Sequence, residues 1–154
     1  MRSIGHLITR LVSVAFGFAA ATLAASIFLS LGMVHDVLAP ALNDITGETA
    51  DSGWLSGLFG LISWPWVAAA ALLPAAIAIA IAELMRWRGL TINLVIGGLV
   101  GLFAGWTWFG AADPRTLAEG TILVLASAGF IGGFVYWLIA GNRAGNWLAP
   151  PRQP

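Results

Sequence analysis

Apolar length constrains this chain more than any other feature. Four stretches, at about residues 11–33, 64–85, 90–108 and 117–140, run almost without charge. Each reaches the roughly 20 residues that a helix needs to cross about 30 Å of hydrocarbon. A bilayer offers the backbone no water to bond to, so each stretch must satisfy its own hydrogen bonds as a helix. AIAIAIA at 76–82 alternates as a strand does, but alanine is itself apolar and the surrounding run is too long for a strand. Only 9% of the residues are charged, against about 25% in soluble domains, too few to cover a water-soluble surface. The expected fold is an all-α membrane protein, a four-transmembrane-helix bundle in a single integral-membrane domain over residues 1–154. The opening MRSIGHLITR, an apolar run and ATLAAS resemble a secretory signal, but the run continues through IFLSLGM, too long for a signal core. A retained first helix is expected.

Charge gives the orientation. Arg2 and Arg10 precede or open the first stretch, Arg86 and Arg88 separate the second from the third, and Arg143 and Arg152 follow the fourth. Only Arg115 falls on the other side. The positive-inside rule then expects a bacterial inner (cytoplasmic) membrane protein with both termini cytoplasmic. With Asp36, Asp44, Glu48, Asp51, Asp113 and Glu119 outside and Glu83 inside, the inner side sums to +6 − 1 = +5 and the outer to +1 − 6 = −5. The tryptophans agree, because an indole sits best at headgroup depth. Trp64, Trp66, Trp106 and Trp108 fall at expected outer ends, Trp87, Tyr136 and Trp137 at inner ends, and Trp54 and Trp147 just beyond the spans. All seven basic residues are arginine, which reads as biased composition.

The connections differ in length. Spans two and three are separated by a few residues and form an antiparallel hairpin. GAADPRT between spans three and four offers Asp113 as a helix cap with Pro114 in the first turn. The first outer connection, Val34 to Ser63, carries four acids, Asp36, Asp44, Glu48 and Asp51, and its apolar end SGWLSGLFGLIS is interrupted by glycine. Residues 54–63 are expected to lie as a helix in the interface or to re-enter the membrane. Pro74 is expected to bend the second span.

Glycine spacing points to close helix packing. Gly97, Gly101 and Gly105 form a G-x-x-x-G-x-x-x-G ridge on span three, and Gly129 and Gly133 repeat the spacing on span four. Lipid gives little hydrophobic drive between helices, so such glycine zippers act by letting backbones approach. They serve packing within the chain or a homo-oligomer contact. Gly98 lies about 100° round from Gly97, off the ridge.

The polar residues inside the spans are few. Glu83 and Arg86 are one turn apart and are expected to pair, as an interfacial ion pair whose loss in Glu83→Gln costs about 0–1 kcal/mol, or as a transport site. Asn93 could bond across to Glu83 or to a neighbouring helix, worth about 0.6–2 kcal/mol. Ser13, Ser26, Ser30 and Ser127 read as packing residues that bond back to carbonyls. With no cysteine, thiolate chemistry and disulfides are excluded. His6 and His35 fall at opposite faces, which disfavours a bis-histidine haem, and no clustered Glu and His suggests a di-iron site. No catalytic residue, cofactor or metal is assigned, and a net charge of zero disfavours a nucleic-acid partner.

Four spans with both termini inside resemble, in architecture alone, the small membrane subunit of binding-protein-dependent secondary transporters. No shared motif carries residues across. The expected function is a non-enzymatic accessory, assembly or scaffold subunit of a membrane complex. Its partners would be the lipid bilayer and other membrane proteins, or a second copy of itself. The alternative is a small transporter or channel component using Glu83 and the acidic outer loop.

Overall fold

A computed structural model describes residues 2–33, 44, 52–107 and 119–144. The acidic loop residues Asp36, Glu48 and Asp51, His35, the Asp113–Pro114 cap, and Trp108, Arg115, Trp147 and Arg152 lie outside the described residues. Those described are helical throughout apart from short turns. The helices are α1 (Arg2–Met33), α2 (Ser52–Leu84), α3 (Leu90–Gly105) and α4 (Glu119–Ile139), followed by a 3₁₀ turn at Gly141–Arg143. The windows Ile8–Gly32, Gly53–Leu84 and Gly120–Ile139 are each long and apolar enough to cross a membrane. α3 is equally apolar but has only 16 residues, about 24 Å of rise.

The helices form a ring. α3 packs along α4, α4 along α1, and α1 along α2. α2 and α3 are joined by a short turn yet touch far less. Their separation leaves the inside of the ring open on one side.

Residues 54–63 correct the sequence reading. They form no separate element but the first turns of α2, which runs unbroken from Ser52 through Pro65 and Pro74. Of the glycines that suggested an interruption, Gly60 is used for approach, whereas Gly57 faces open space. A Cβ at Gly60 would fall 2.8 Å from the Ile27 Cα of α1. Ser26 Oγ donates to Gly60 O at 2.8 Å and lies 2.9 Å from Ser63 Oγ, and Ser30 Oγ donates to Ser56 O at 2.6 Å. One turn along, Trp64 Nε1 donates to Thr22 Oγ1 at 3.0 Å. Thr22, Ser26 and Ser30 recur every four residues, so one face of α1 presents a ladder of hydroxyls to α2. Each bond of this type contributes about 0.6 kcal/mol, up to about 1.7, and together they fix where α2 begins.

The same pairs show that α2 takes a longer course. From Arg10 to Ser30, α1 advances 30 − 10 = 20 residues, whereas their partners on α2, Glu83 and Ser56, are 83 − 56 = 27 apart. At 1.5 Å per residue these are about 30 Å and about 40 Å. α2 is therefore inclined to α1, and the long Arg10 and Glu83 side chains bridge what remains. Pro74 lies within this stretch and removes the helical donor to the Ala70 carbonyl.

Candidate functional site: an apolar cavity with polar ends

The inclined course of α2 leaves a cavity of about 840 Å³ inside the ring, within the size range of ligand sites. Its α2 wall is small: Ala70, Ala71, Ala75, Ala78 and Ala82. The α3 and α4 walls include Gly97, Gly101, Ala128 and Gly132, and Phe18, Ala21 and Ala25 come from α1. Hydroxyls of Thr22, Ser30 and Ser63 reach it near one end, Asn93 and Tyr136 near the other. A second groove of about 380 Å³ runs outside the α2–α3 hairpin, lined by Pro74, Ile81, Trp87, Leu99 and Phe103. Ala78, Ile96 and Val100 line both spaces, so the groove and the cavity lie on either side of the same α2 and α3 residues.

The Arg10 end is closed by a set of charge-assisted bonds. Arg10 and Glu83 form an ion pair, with Nε donating to Oε1 at 2.9 Å, and Arg10 Nη1 donates to Ala140 O at 2.8 Å. The two side chains retain 12% and 14% of their exposure, so one guanidinium ties three helices together away from bulk water. Hydrogen bonds to charged groups contribute about 1.5–3 kcal/mol. Arg88 Nε donates to Ala144 O at 2.7 Å, and Trp137 Nε1 donates to Arg88 O at 2.9 Å. These bonds dock the hairpin turn on the end of α4.

The pairing expected between Glu83 and Arg86 is replaced by the pairing with Arg10, for a reason in the backbone. α2 ends at Leu84, with Arg86 N–H donating to Glu83 O at 3.3 Å and Trp87 N–H to Ala82 O at 2.9 Å. That is the bond pattern of a Schellman helix end, which puts its penultimate residue in the left-handed region. Arg86 is that residue, with φ 57. A single turn of helix no longer relates Arg86 to Glu83, and the Arg86 side chain is exposed. Asn93 also departs from expectation. Its Nδ2 donates to Gly89 O of its own first turn at 2.9 Å, and a Cβ at Gly141 would come within 2.9 Å of its Oδ1. Asn93 is buried and closes the start of α3 rather than reaching Glu83.

The glycines of α3 meet those of α4. Cβ atoms built at Gly97 and Gly101 would lie 2.7 Å from the Gly133 Cα and 2.9 Å from the Gly129 Cα. Built at Gly129 and Gly133, they would strike the carbonyls of Gly97 and Asn93. At Gly105 the neighbour is a Leu125 side chain. The ridge is thus occupied by α4 of the same chain, and the face needed for a homo-oligomer contact through it is covered. Gly98, expected off the ridge, is part of the contact too: its Cβ would meet the Phe130 ring at 2.5 Å. Gly132 faces the Ala21 carbonyl of α1 at 3.3 Å, so α4 uses different glycines against two neighbours.

Sequence reasoning missed Arg10, read only as a marker of one face, and the Thr22–Ser26–Ser30 ladder. Fourfold spacing of hydroxyls was the signal for the ladder. For Arg10 the signal was its place at the very start of an apolar run, where a lone cation calls for a partner. Among the described residues no group of three or more His, Cys, Asp or Glu side chains could hold a metal ion. The chain matches no family model, no curated protein and no solved structure.

Proposed function

We propose that this chain is a small polytopic protein of a bacterial inner membrane, with four spans and both termini cytoplasmic, acting as a non-enzymatic accessory, assembly or scaffold subunit. The observation that carries this reading is the commitment of Glu83. It is paired with Arg10 in a clasp that joins α1, α2 and the end of α4, and it does not line the cavity. What the bundle then offers other molecules is apolar surface. α2 is its least covered span, with Leu72, Leu73 and Ile77 more than half exposed. In lipid such a face associates through packing and interhelical hydrogen bonds rather than hydrophobic drive.

Two experiments test this. A photo-crosslinking residue in place of Leu73 should give a discrete protein adduct in native membranes, whereas one at the fully buried Ala140 should not. Protein adducts from neither Leu73 nor the exposed faces at Val95 and Leu123 contradict the reading. Reporter fusions at residue 50 and after residue 150 should report opposite sides, with residue 50 outside, and a shared side contradicts the four spans. The alternative of a transporter using Glu83 requires that carboxylate to face the cavity, and uptake by proteoliposomes that is abolished in Glu83→Gln would establish it.

A further inference from the structure

Three features of the α2–α3 side remain unused by the packing. The cavity inside the ring is largely apolar and shares Ala78, Ile96 and Val100 with the groove on the outer side of the hairpin. The groove ends at Trp87, the centre of the turn that holds Arg86 and Arg88. Arg86, moreover, occupies a left-handed position that suits glycine (φ 57), at a cost of about 1 kcal/mol for any other residue.

We propose that this side binds one anionic phospholipid, with its phosphate at the Arg86–Arg88 turn and an acyl chain passing between α2 and α3 into the cavity. The chemistry at each level fits. Arg86 and Arg88 are exposed, and Arg88 bonds Ala144 O through Nε. That same bond ties the turn to the residue after exposed Arg143, the third exposed arginine at this end among the described residues. Guanidinium groups match phosphate oxygens in a planar two-point geometry, and basic pockets at helix ends hold anionic headgroups. Trp87 lies between the two arginines in sequence and lines the groove, and an indole is best accommodated between headgroup and acyl levels. Above it the groove and the cavity offer alanines, glycines and branched apolar side chains, a wall that suits an acyl chain. A polar solute would find hydrogen-bond partners only at the two ends of the cavity, not along this wall. This inference does not rest on the accessory role, because a lipid site and a protein contact on the exposed face of α2 are separate surfaces.

The test is native mass spectrometry of the full chain released from detergent with added phosphatidylglycerol or phosphatidylcholine of identical acyl chains. Wild type should retain one phosphatidylglycerol at least fivefold more than phosphatidylcholine. Arg86→Gly removes the charge at a position where glycine is favoured, so the fold is kept, and the preference should fall at least threefold. Ala75→Phe fills the cavity from α2 without touching the turn, and the tightly held lipid should be lost for both headgroups. Equal retention of the two lipids by wild type overturns the proposal. So does an unchanged preference in Arg86→Gly, or a lipid still held by a folded Ala75→Phe protein. Recovery of a polypeptide in the cleft, with lipid entering only after its removal, overturns it in favour of a partner helix.

Discussion

The α3–α4 and α2–α3 seams both use small residues, but to opposite ends. The first sets glycine against glycine, whereas the second sets alanines of α2 against Ile96, Leu99, Val100 and Phe103 of α3. On α3–α4, Gly97 and Gly101 meet Gly129 and Gly133 backbone to backbone, with no room for a Cβ. On α2–α3, alanines of α2 face a cavity. Small residues therefore do not by themselves mean close approach. They allow it only where both helices carry them in register and where the helices run side by side. α2 is drawn away from α3 by its attachments to α1: hydroxyl bonds near Ser30 and the ion pair at Arg10. One seam is closed by absent side chains, and the other is held open by polar bonds made elsewhere.

The largest effect that would break this contrast is expected at Gly97. Gly97→Leu drives a side chain into the backbone of α4, where nothing flexible can give, and should cost about 4 kcal/mol or more. That corresponds to a fall in the melting temperature in detergent on the order of 10 °C. Gly98→Leu meets the half-exposed Phe130 ring, which can swing aside, and should lower melting by less than half as much. Next comes the clasp that keeps α2 inclined. Glu83→Gln removes the charge from a poorly exposed interhelical pair, so the cost should be about 2–3 kcal/mol, above the 0–1 kcal/mol of a surface pair. Chemical denaturation in detergent would show it. Ser26→Ala breaks one rung of the ladder and should cost about 1 kcal/mol. The smallest effect has the opposite sign. Arg86→Gly relieves a left-handed backbone and should stabilise by about 0.5–1 kcal/mol, read as a rise in melting temperature.

How far these features were legible depended on what kind of pattern carried them. The helices were written as unbroken apolar length, and an all-helical, membrane-compatible chain followed from that. The start of α2 was not, because residues 54–63 are short, glycine-rich and followed by Pro65, which looks like an interruption in one dimension. Only the ladder on α1 reveals that these turns have a partner. Glu83 shows the same limit. Its nearest arginine in sequence is Arg86, but a left-handed turn carries Arg86 away, and Arg10 is 73 residues distant. Local spacing cannot register a contact of that range. The glycine ridge was visible as spacing, whereas its neighbour was not, since spacing states how close a helix can come but not which helix comes. The cavity had no trace in the sequence at all. It arises from the inclination of α2, which depends on where its two attachments fall.

One added side chain on each seam tests the contrast most directly. Gly101→Leu and Ala75→Leu both place an isobutyl group inside the ring, the first toward the Leu125 carbonyl and Gly129 Cα of α4, the second into the cavity. Melting temperatures of the two variants should be measured in the same detergent. Gly101→Leu should fall on the order of 10 °C, and Ala75→Leu should stay within about 2 °C of the parent chain or rise, since filling space adds dispersion contacts. Equal losses in the two variants would contradict the account, because they would mean that α2 packs on α3 as tightly as α3 packs on α4.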